Sequence, residues 1–439
     1  MTTPIADFVR QYQENKTARF HMPGHKGKGP LGCEGLDITE VRGADALYEA
    51  SGIIAESEAN ATALFGSGRT VYSTEGSSQC IRAMLYLALT NRPAEAAATV
   101  VAARNVHKAF VYAAALLDFE VVWLWPEESR SICGCTITAE NLENTLKNLP
   151  APPAAVYLTS PDYLGGMADI PALAEVAHRY GTILVVDNAH GAYLRFLPSS
   201  RHPLDLGADL CCDSAHKTLP VLTGGAYLHI AKRLPEAFRE NVKAAMALFG
   251  STSPSYLTMI SLDLCNGELA GNYPDRLREA CDRLENLREM LCQQGWQLEK
   301  TDPLRLTLRC CGTEIADRLR KHGMECEYAD PESLVLMLTP DNAPEDLSRI
   351  AAVLGENKAA AEEKTSLPLA KGEQVCSIRQ ALFVSHEAIP AEKALGRICG
   401  APTVACPPAI PIAVSGERIG EEALALFRHY GVETVDVLK

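Results

Sequence analysis

The chain has 439 residues, room for a large core and two or three domains, and its 47% hydrophobic and 22% charged residues are ordinary for a globular protein. A net charge of −14 argues against nonspecific nucleic-acid binding and against a basic membrane-surface patch. The start, Met1-Thr2-Thr3-Pro4-Ile5-Ala6-Asp7, lacks the basic stretch and apolar run of a secretory leader, and no apolar run approaches the roughly 18 residues of a spanning helix, so a cytoplasmic protein is expected.

In chain order, the first unusual segment is Phe20-His21-Met22-Pro23-Gly24-His25-Lys26-Gly27, two histidines and a lysine around a Pro-Gly turn. It could line a site or form a mobile basic loop. From about residue 70 to 230, short β-branched runs alternate with helical stretches. The expected strands are Thr99–Ala103, Glu120–Leu124, Ala154–Thr159, Thr182–Asp187, Asp209–Cys212 and Gly225–Ile230. Helices are expected near Gln79–Leu89, Lys108–Leu117, Ala139–Leu149 and Pro171–Tyr180. This alternation signals an α/β chain with a mostly parallel sheet covered on both faces. Binding groups should then gather at the carboxyl ends of strands.

Further on the character changes. Leu304–Leu308, Glu325–Tyr328 and Leu334–Leu338 read as strands, Thr313–Lys321 and Pro344–Leu354 as helices, which together suggest a small domain with antiparallel pairing. Glu356–Gln374 reads as a linker, and Cys406-Pro407-Pro408-Ala409-Ile410-Pro411 cannot be a helix interior. The expected division is an arm and entry segment over 1–65, a large domain over 66–300, a small α/β domain over 301–355, a linker over 356–374 and a C-terminal domain over 375–439. The cysteines number fifteen, an odd count, and pairs such as Cys133/Cys135, Cys211/Cys212 and Cys310/Cys311 lack the Cys-x-x-Cys spacing. No metal centre or disulfide framework is expected, and the thiols should be reduced, small and apolar.

Four segments carry chemistry. Tyr72-Ser73-Thr74-Glu75-Gly76-Ser77-Ser78-Gln79 stands before a helix, where Gly76 permits close approach and Ser77 and Ser78 offer hydroxyls and N–H groups to a phosphate; an ordinary N-cap is the alternative. Glu75 should point away from such a dianion. His107 lies at the carboxyl end of a strand, where its ring could stack on an aromatic cofactor or simply start a helix. Asp187, in Asp187-Asn188-Ala189-His190-Gly191, ends another strand; a carboxylate there favours a protonated pyridine nitrogen, although Asp at strand ends is often a turn residue. Ala189 lies on the same face and is small enough for a ring to lie against it. Downstream, Ser214-Ala215-His216-Lys217 offers a lysine flanked by Ser214 and His216, which can bond a phosphate. Alone it is a weak pattern, and a solvated lysine is the default. In register with the Asp and the serines, Lys217 suits the Schiff-base lysine of a pyridoxal phosphate enzyme.

Taken together these segments resemble the Orn/Lys/Arg decarboxylases, pyridoxal phosphate enzymes of the aspartate-aminotransferase fold (fold type I). The resemblance covers nearly the whole chain. His21-Met22-Pro23-Gly24-His25-Lys26, Asp37-Ile38-Thr39-Glu40, Arg104-Asn105-Val106-His107-Lys108, the Asp187 segment and the Lys217 segment follow the family's order. The tail Pro407-Pro408-Ala409-Ile410-Pro411 with Ser415-Gly416-Glu417 is similar to the family's Pro-Pro-Gly-Ile-Pro…Pro-Gly-Glu, but Ala409 and Ser415 depart from it.

The resemblance implies that Lys217 carries the cofactor, Asp187 pairs with the pyridine nitrogen, and His107 stacks over the ring opposite Ala189. Gly76, Ser77, Ser78, Ser214 and His216 would hold the phosphate, with Lys217 or a histidine, His190 among them, returning a proton to Cα. It also implies decarboxylation of lysine, arginine or ornithine to an amine feeding polyamine metabolism. An aminotransferase or aldolase on the same fold is the alternative, since fold does not fix chemistry. Asp162 could meet the substrate's distal cation or be a turn residue after Pro161, and His25 is a second candidate on the substrate. The chain begins at this core without the regulator-like N-terminal domain of large bacterial members. A homodimer is therefore expected, with the site at the interface and the His21–Lys26 segment serving the partner's cofactor.

Overall fold

Short runs rich in Val, Ile and Ala become the strands of the large sheet, in a computed structural model that describes residues 1–126, 131–355, 369–404 and 409–439. Its strands are β1 (Arg69–Ser73), β2 (Ala97–Ala103), β3 (Glu120–Leu124), β4 (Pro153–Thr159), β5 (Ile183–Asp187), β6 (Leu210–Asp213) and β7 (Ala226–Ile230). The chain divides into two compact units, Met1–Pro93 with Ile183–Arg278 and Ala94–Thr182 with Glu279–Lys439. Strands of the first unit run in the order β1-β7-β6-β5 and those of the second in the order β4-β2-β3. β5 and β6 are parallel, as are β2 with β3 and β2 with β4, whereas β7 is antiparallel to both β1 and β6. The expected mostly parallel α/β sheet is present. Helices Ser77–Thr90, Lys108–Leu117, Ala139–Lys147 and Ile170–Arg179 lie where the periodicity put them, within a few residues at their ends.

Within the large sheet, β1 is the strand that the sequence pattern did not announce. Arg-Thr-Val-Tyr-Ser is polar on paper, yet it is buried from Thr70 onward. Burial is tolerated because each polar group finds a partner. Thr70 Oγ1 meets His229 Nδ1 at 2.8 Å and Ser67 Oγ at 2.7 Å. Tyr72 Oη meets Ser57 Oγ and accepts from Asn266 Nδ2, both at 2.6 Å.

In the second unit a four-stranded antiparallel sheet has the order β10-β11-β9-β8, from β8 (Gln297–Leu298), β9 (Arg305–Arg309), β10 (Tyr328–Ala329) and β11 (Ser333–Met337). Leu306, Leu308, Leu334 and Leu336 pack against Ile315 and Leu319 of the helix Gly312–Lys321, the apolar face that its spacing prescribes. Near the C-terminus β12 (His386–Pro390) pairs antiparallel with β15 (Thr434–Leu438), and β13 (Thr403–Val404) with β14 (Pro411–Ala413). Ile412, Phe427, Val435 and Val437 form its core. Most of the expected linker, residues 356–368, and the Cys406-Pro407-Pro408 part of the Pro-rich stretch lie outside the described residues. Ala409 is described, and it sits in the left-handed region with φ +59°.

Candidate active site

β5 ends in Asp187, which is 2% exposed. Its Oδ1 accepts from the Ala189 N–H at 3.2 Å and from the Cys212 thiol at 3.6 Å. Cys212 is the register partner of Asp187 on β6, so the parallel pairing itself sets thiol against carboxylate. Ala189, two residues on, is buried as well. β6 leads directly into the short helix Ala215–Thr218, which carries Lys217. Lys217 Nζ lies 3.0 Å from Nε2 of His190, a buried ring three residues beyond Asp187.

The phosphate-type cradle lies in the same unit. Ser214 Oγ donates to Ser77 Oγ at 2.8 Å, joining the lysine turn to the start of the helix Ser77–Thr90. Gly76 is that helix's N-cap, with φ +73°, no side-chain cap, and open space where a Cβ would stand. Uncapped first-turn N–H groups and the positive helix end favour an anion there. Glu75 turns away as expected, its carboxylate accepting the Ser251 N–H. His216 Nδ1 lies 3.0 Å from the Gly225 carbonyl, to which it donates. Burial, with the Lys217 charge nearby, lowers the His216 pKa. The ring is therefore neutral at pH 7, and Nε2 offers an anion a hydrogen only when protonated.

The remaining candidates sit in recognisable local structures. His25 uses both ring nitrogens within its own segment: Nε2 pairs with Asp37 Oδ2 at 3.2 Å and Nδ1 accepts the Gly27 N–H at 3.0 Å. In the second unit, His107 caps the helix Lys108–Leu117, its Nδ1 accepting the Ala109 N–H at 3.1 Å. Asp162 accepts from the N–H groups of Leu164 and Gly166 at 2.9 and 2.8 Å, a turn geometry. Burial pushes its carboxyl up to about 7. Two of the signature segments meet in this unit: Arg104 Nη2 lies 3.4 Å from Glu417 Oε2, and Arg104 also donates to the Pro411 and Ile412 carbonyls.

Sequence reasoning missed Cys212 and a buried group on the other face of β6, made of Asp213, His202 and His229. The available signal was alternation. Asp213 is one residue from Cys212, so the two must face opposite ways.

A strand-end carboxylate, a lysine on the turn after the neighbouring strand and an open helix start define a pyridoxal phosphate enzyme of fold type I. The residues present fit that cofactor: an amine for its aldehyde, an acid for its pyridine nitrogen, and hydroxyls with a helix start for its phosphate. Comparison with known proteins gives the family. The profile of the Orn/Lys/Arg decarboxylase major domain matches residues 3–311, and the chain belongs to that family. An uncharacterised Bacillus subtilis protein, YaaO, is 28% identical over 97% of this chain and 93% of its own length. The arginine decarboxylase of the same organism is 26% identical over 96% of this chain and 92% of its own. The Francisella novicida lysine decarboxylase has the same fold, with a TM-score of 0.81 at 17% identity, covering 100% of this chain and 81% of that one. The protein is thus an enzyme, a pyridoxal phosphate-dependent amino acid carboxy-lyase. Among the described residues no helix is long and apolar enough to cross a membrane.

Proposed function

We propose that the enzyme decarboxylates arginine, lysine or ornithine, with arginine first on account of the near-full-length relative that bears that name. The product amine would feed polyamine metabolism, in a cytoplasmic homodimer. The observation that carries the reading is the meeting of Lys217 Nζ and His190 Nε2 at 3.0 Å, beyond the strand that ends in buried Asp187.

When bound, pyridoxal phosphate supplies the electron sink for loss of CO₂. Lys217 would hold it through its side-chain amine. His190, at hydrogen-bond distance, can exchange a proton with Nζ, and the same pair can return a proton to Cα. Asp187 would keep a proton on the pyridine nitrogen by opposite charge, at a buried position where the attraction is little screened. Cys212 and the Ala189 N–H fix which way that carboxylate faces. Ser77 and Ser78, at a helix start that Gly76 leaves open, would hold the phosphate together with Ser214 of the lysine turn.

For His107 and Asp162 the roles proposed, ring stacking and recognition of the distal cation, rest on chain order and on their own surroundings. A buried carboxyl raised to about 7 is one that a cationic side chain would restore to its charged form. The test is CO₂ release by the purified, cofactor-loaded protein from arginine, lysine and ornithine, with amine products identified and no keto acid added. Amino transfer that requires a keto acid, with no CO₂ from any of the three, would replace this reading with the aminotransferase one.

A further inference from the structure

Behind the lysine turn lies a carboxylate that the mechanism above does not use. Asp213 is the last residue of β6 and is fully buried. Its Oδ2 accepts from His202 Nε2 at 3.1 Å and from His229 Nε2 at 3.0 Å, and its Oδ1 accepts from Asn188 Nδ2 at 2.7 Å. Cys211 Sγ lies 3.7 Å from the same Oδ1. Alternation explains the grouping. Asp187 and Cys212 share one sheet face, while Asn188, Cys211, Asp213 and His229, the register partner of Cys211, share the other.

The composition would suit a metal ion, yet the hydrogen bonds argue otherwise. His202 Nδ1 accepts the Leu204 N–H, so its Nε2 carries the hydrogen that reaches Asp213. His229 Nδ1 is engaged by Thr70 Oγ1, which leaves its Nε2 likewise the donor toward Asp213. Four donors, the Cys211 thiol the most distant of them, converge on one buried carboxylate, and the group is satisfied without a cation.

What the carboxylate joins is telling. Asn188 directly follows Asp187, and Asp213 directly precedes Ser214-Ala215-His216-Lys217. The Asn188–Asp213 bond therefore ties the end of the strand that presents the acid to the start of the turn that presents the lysine. We propose that Asp213 is a positioning residue, which through Asn188, His202 and His229 fixes the spacing between Asp187 and Lys217. The inference rests on those two being the cofactor residues.

Borohydride reduction of the unaltered holoenzyme tests that foundation separately, since it should place the cofactor on the Lys217 peptide. Three variants then test Asp213 itself: Asp213→Asn, Asn188→Ala, and His229→Gln, whose amide N–H reaches as far as the imidazole Nε2 that it replaces. The readouts are cofactor affinity by fluorescence, the pH midpoint of the visible cofactor band, and the thermal midpoint of the cofactor-free protein. Asp213→Asn and Asn188→Ala should each weaken cofactor binding at least about tenfold, the loss of one hydrogen bond to a charged group. In Asp213→Asn the band's midpoint should also fall by on the order of one unit, because a nearby negative charge that favours the cationic form is gone. His229→Gln should stay within about twofold of the unaltered protein in affinity, since a donor to Asp213 remains. Should Asp213→Asn not fold, Asn188→Ala decides, because it leaves the carboxylate and both histidines in place. A lowered thermal midpoint with unchanged affinity and band would make the cluster a fold element only and overturn the proposal.

Discussion

Lys217 Nζ and His190 Nε2 stand 3.0 Å apart, and each arrives from the end of a parallel strand: His190 three residues past β5, Lys217 four residues past β6. The register that pairs Asp187 with Cys212 brings these two strand ends level. Amine and imidazole are therefore brought together by backbone pairing, just beyond the strand that ends in the Asp187 carboxylate. Carboxyl ends of strands in an open α/β sheet are where ligands bind, and here the sheet itself builds the constellation.

Lys217→Ala should abolish turnover while leaving weak, phosphate-driven cofactor binding through Ser77, Ser78 and Ser214. Borohydride treatment of the unaltered protein, followed by peptide mapping, should find the cofactor on Lys217. Trapping on a different lysine, Lys108 for instance, would remove Lys217 from the mechanism.

Asp187→Asn keeps the size of the side chain and removes the charge. The Ala189 N–H retains an oxygen acceptor, so the fold should survive. Without the buried negative charge the pyridine proton is lost, and kcat should fall roughly 100-fold or more, about 2.7 kcal/mol of transition-state stabilisation. The check is kcat in a variant shown by absorbance to be fully loaded; a near-normal value there would contradict the role of Asp187.

Acid should destabilise the protein through two histidines that the fold desolvates, His229 fully and His216 in part. Burial lowers the pKa of both His216 and His229 in the fold. The unfolded chain then binds more protons than the folded one at acidic pH. Their contribution to stability is complete above the ordinary histidine value of about 6.5 and is lost as pH falls below it. Asp213 acts in the same direction at lower pH: burial alone would raise its carboxyl, but His202 and His229 hold it well below the usual range. Glu58 and Asp263, raised by burial, work the other way, so the informative quantity is a difference. The urea midpoint of His229→Gln should fall less steeply than that of the unaltered protein between pH 6.5 and 5, and parallel curves would contradict the assignment.

How much of this could be read from the sequence divides along a physical line. Local patterns were legible: β-branched runs made strands, the lysine motif fell on the turn after β6, and Gly76 and Ser77 marked an open helix start. Register and partner choice were not, because they join distant segments. Nothing near His202 or His229 in the chain announces Asp213, and Arg104 and Glu417 meet only through the fold. β1 was missed for a related reason, since its polar residues look exposed until the partners of Thr70 and Tyr72 are in place.

Ala409 stands where the resemblance expects glycine, and its backbone has φ +59° while its carbonyl accepts the Lys108 N–H at 3.0 Å. A left-handed conformation costs a residue with a Cβ about 1–2 kcal/mol. Glycine gains unfolded-state freedom that offsets part of the relief. Ala409→Gly should therefore stabilise the protein by roughly 0.5–1 kcal/mol, visible as a raised urea midpoint with unchanged slope. A destabilised variant would mean that the methyl contributes more by packing than the backbone loses.

Asp162→Asn separates recognition from turn-making. The Asn Oδ1 can still accept from Leu164 and Gly166, so the turn should persist. The folded carboxyl is raised to about 7, so its contribution to stability is full at pH values below the ordinary aspartate range, about 3.9, and is lost as pH rises through 7. The variant should therefore gain stability relative to the unaltered protein at pH 8 and show no such gain at pH 4. If Asp162 meets the distal cation, KM for the basic amino acid should rise at least about tenfold with kcat little changed, the loss of a charge-assisted bond. KM within about twofold alongside the gain in stability would assign Asp162 to the turn alone and leave the distal cation to another acid.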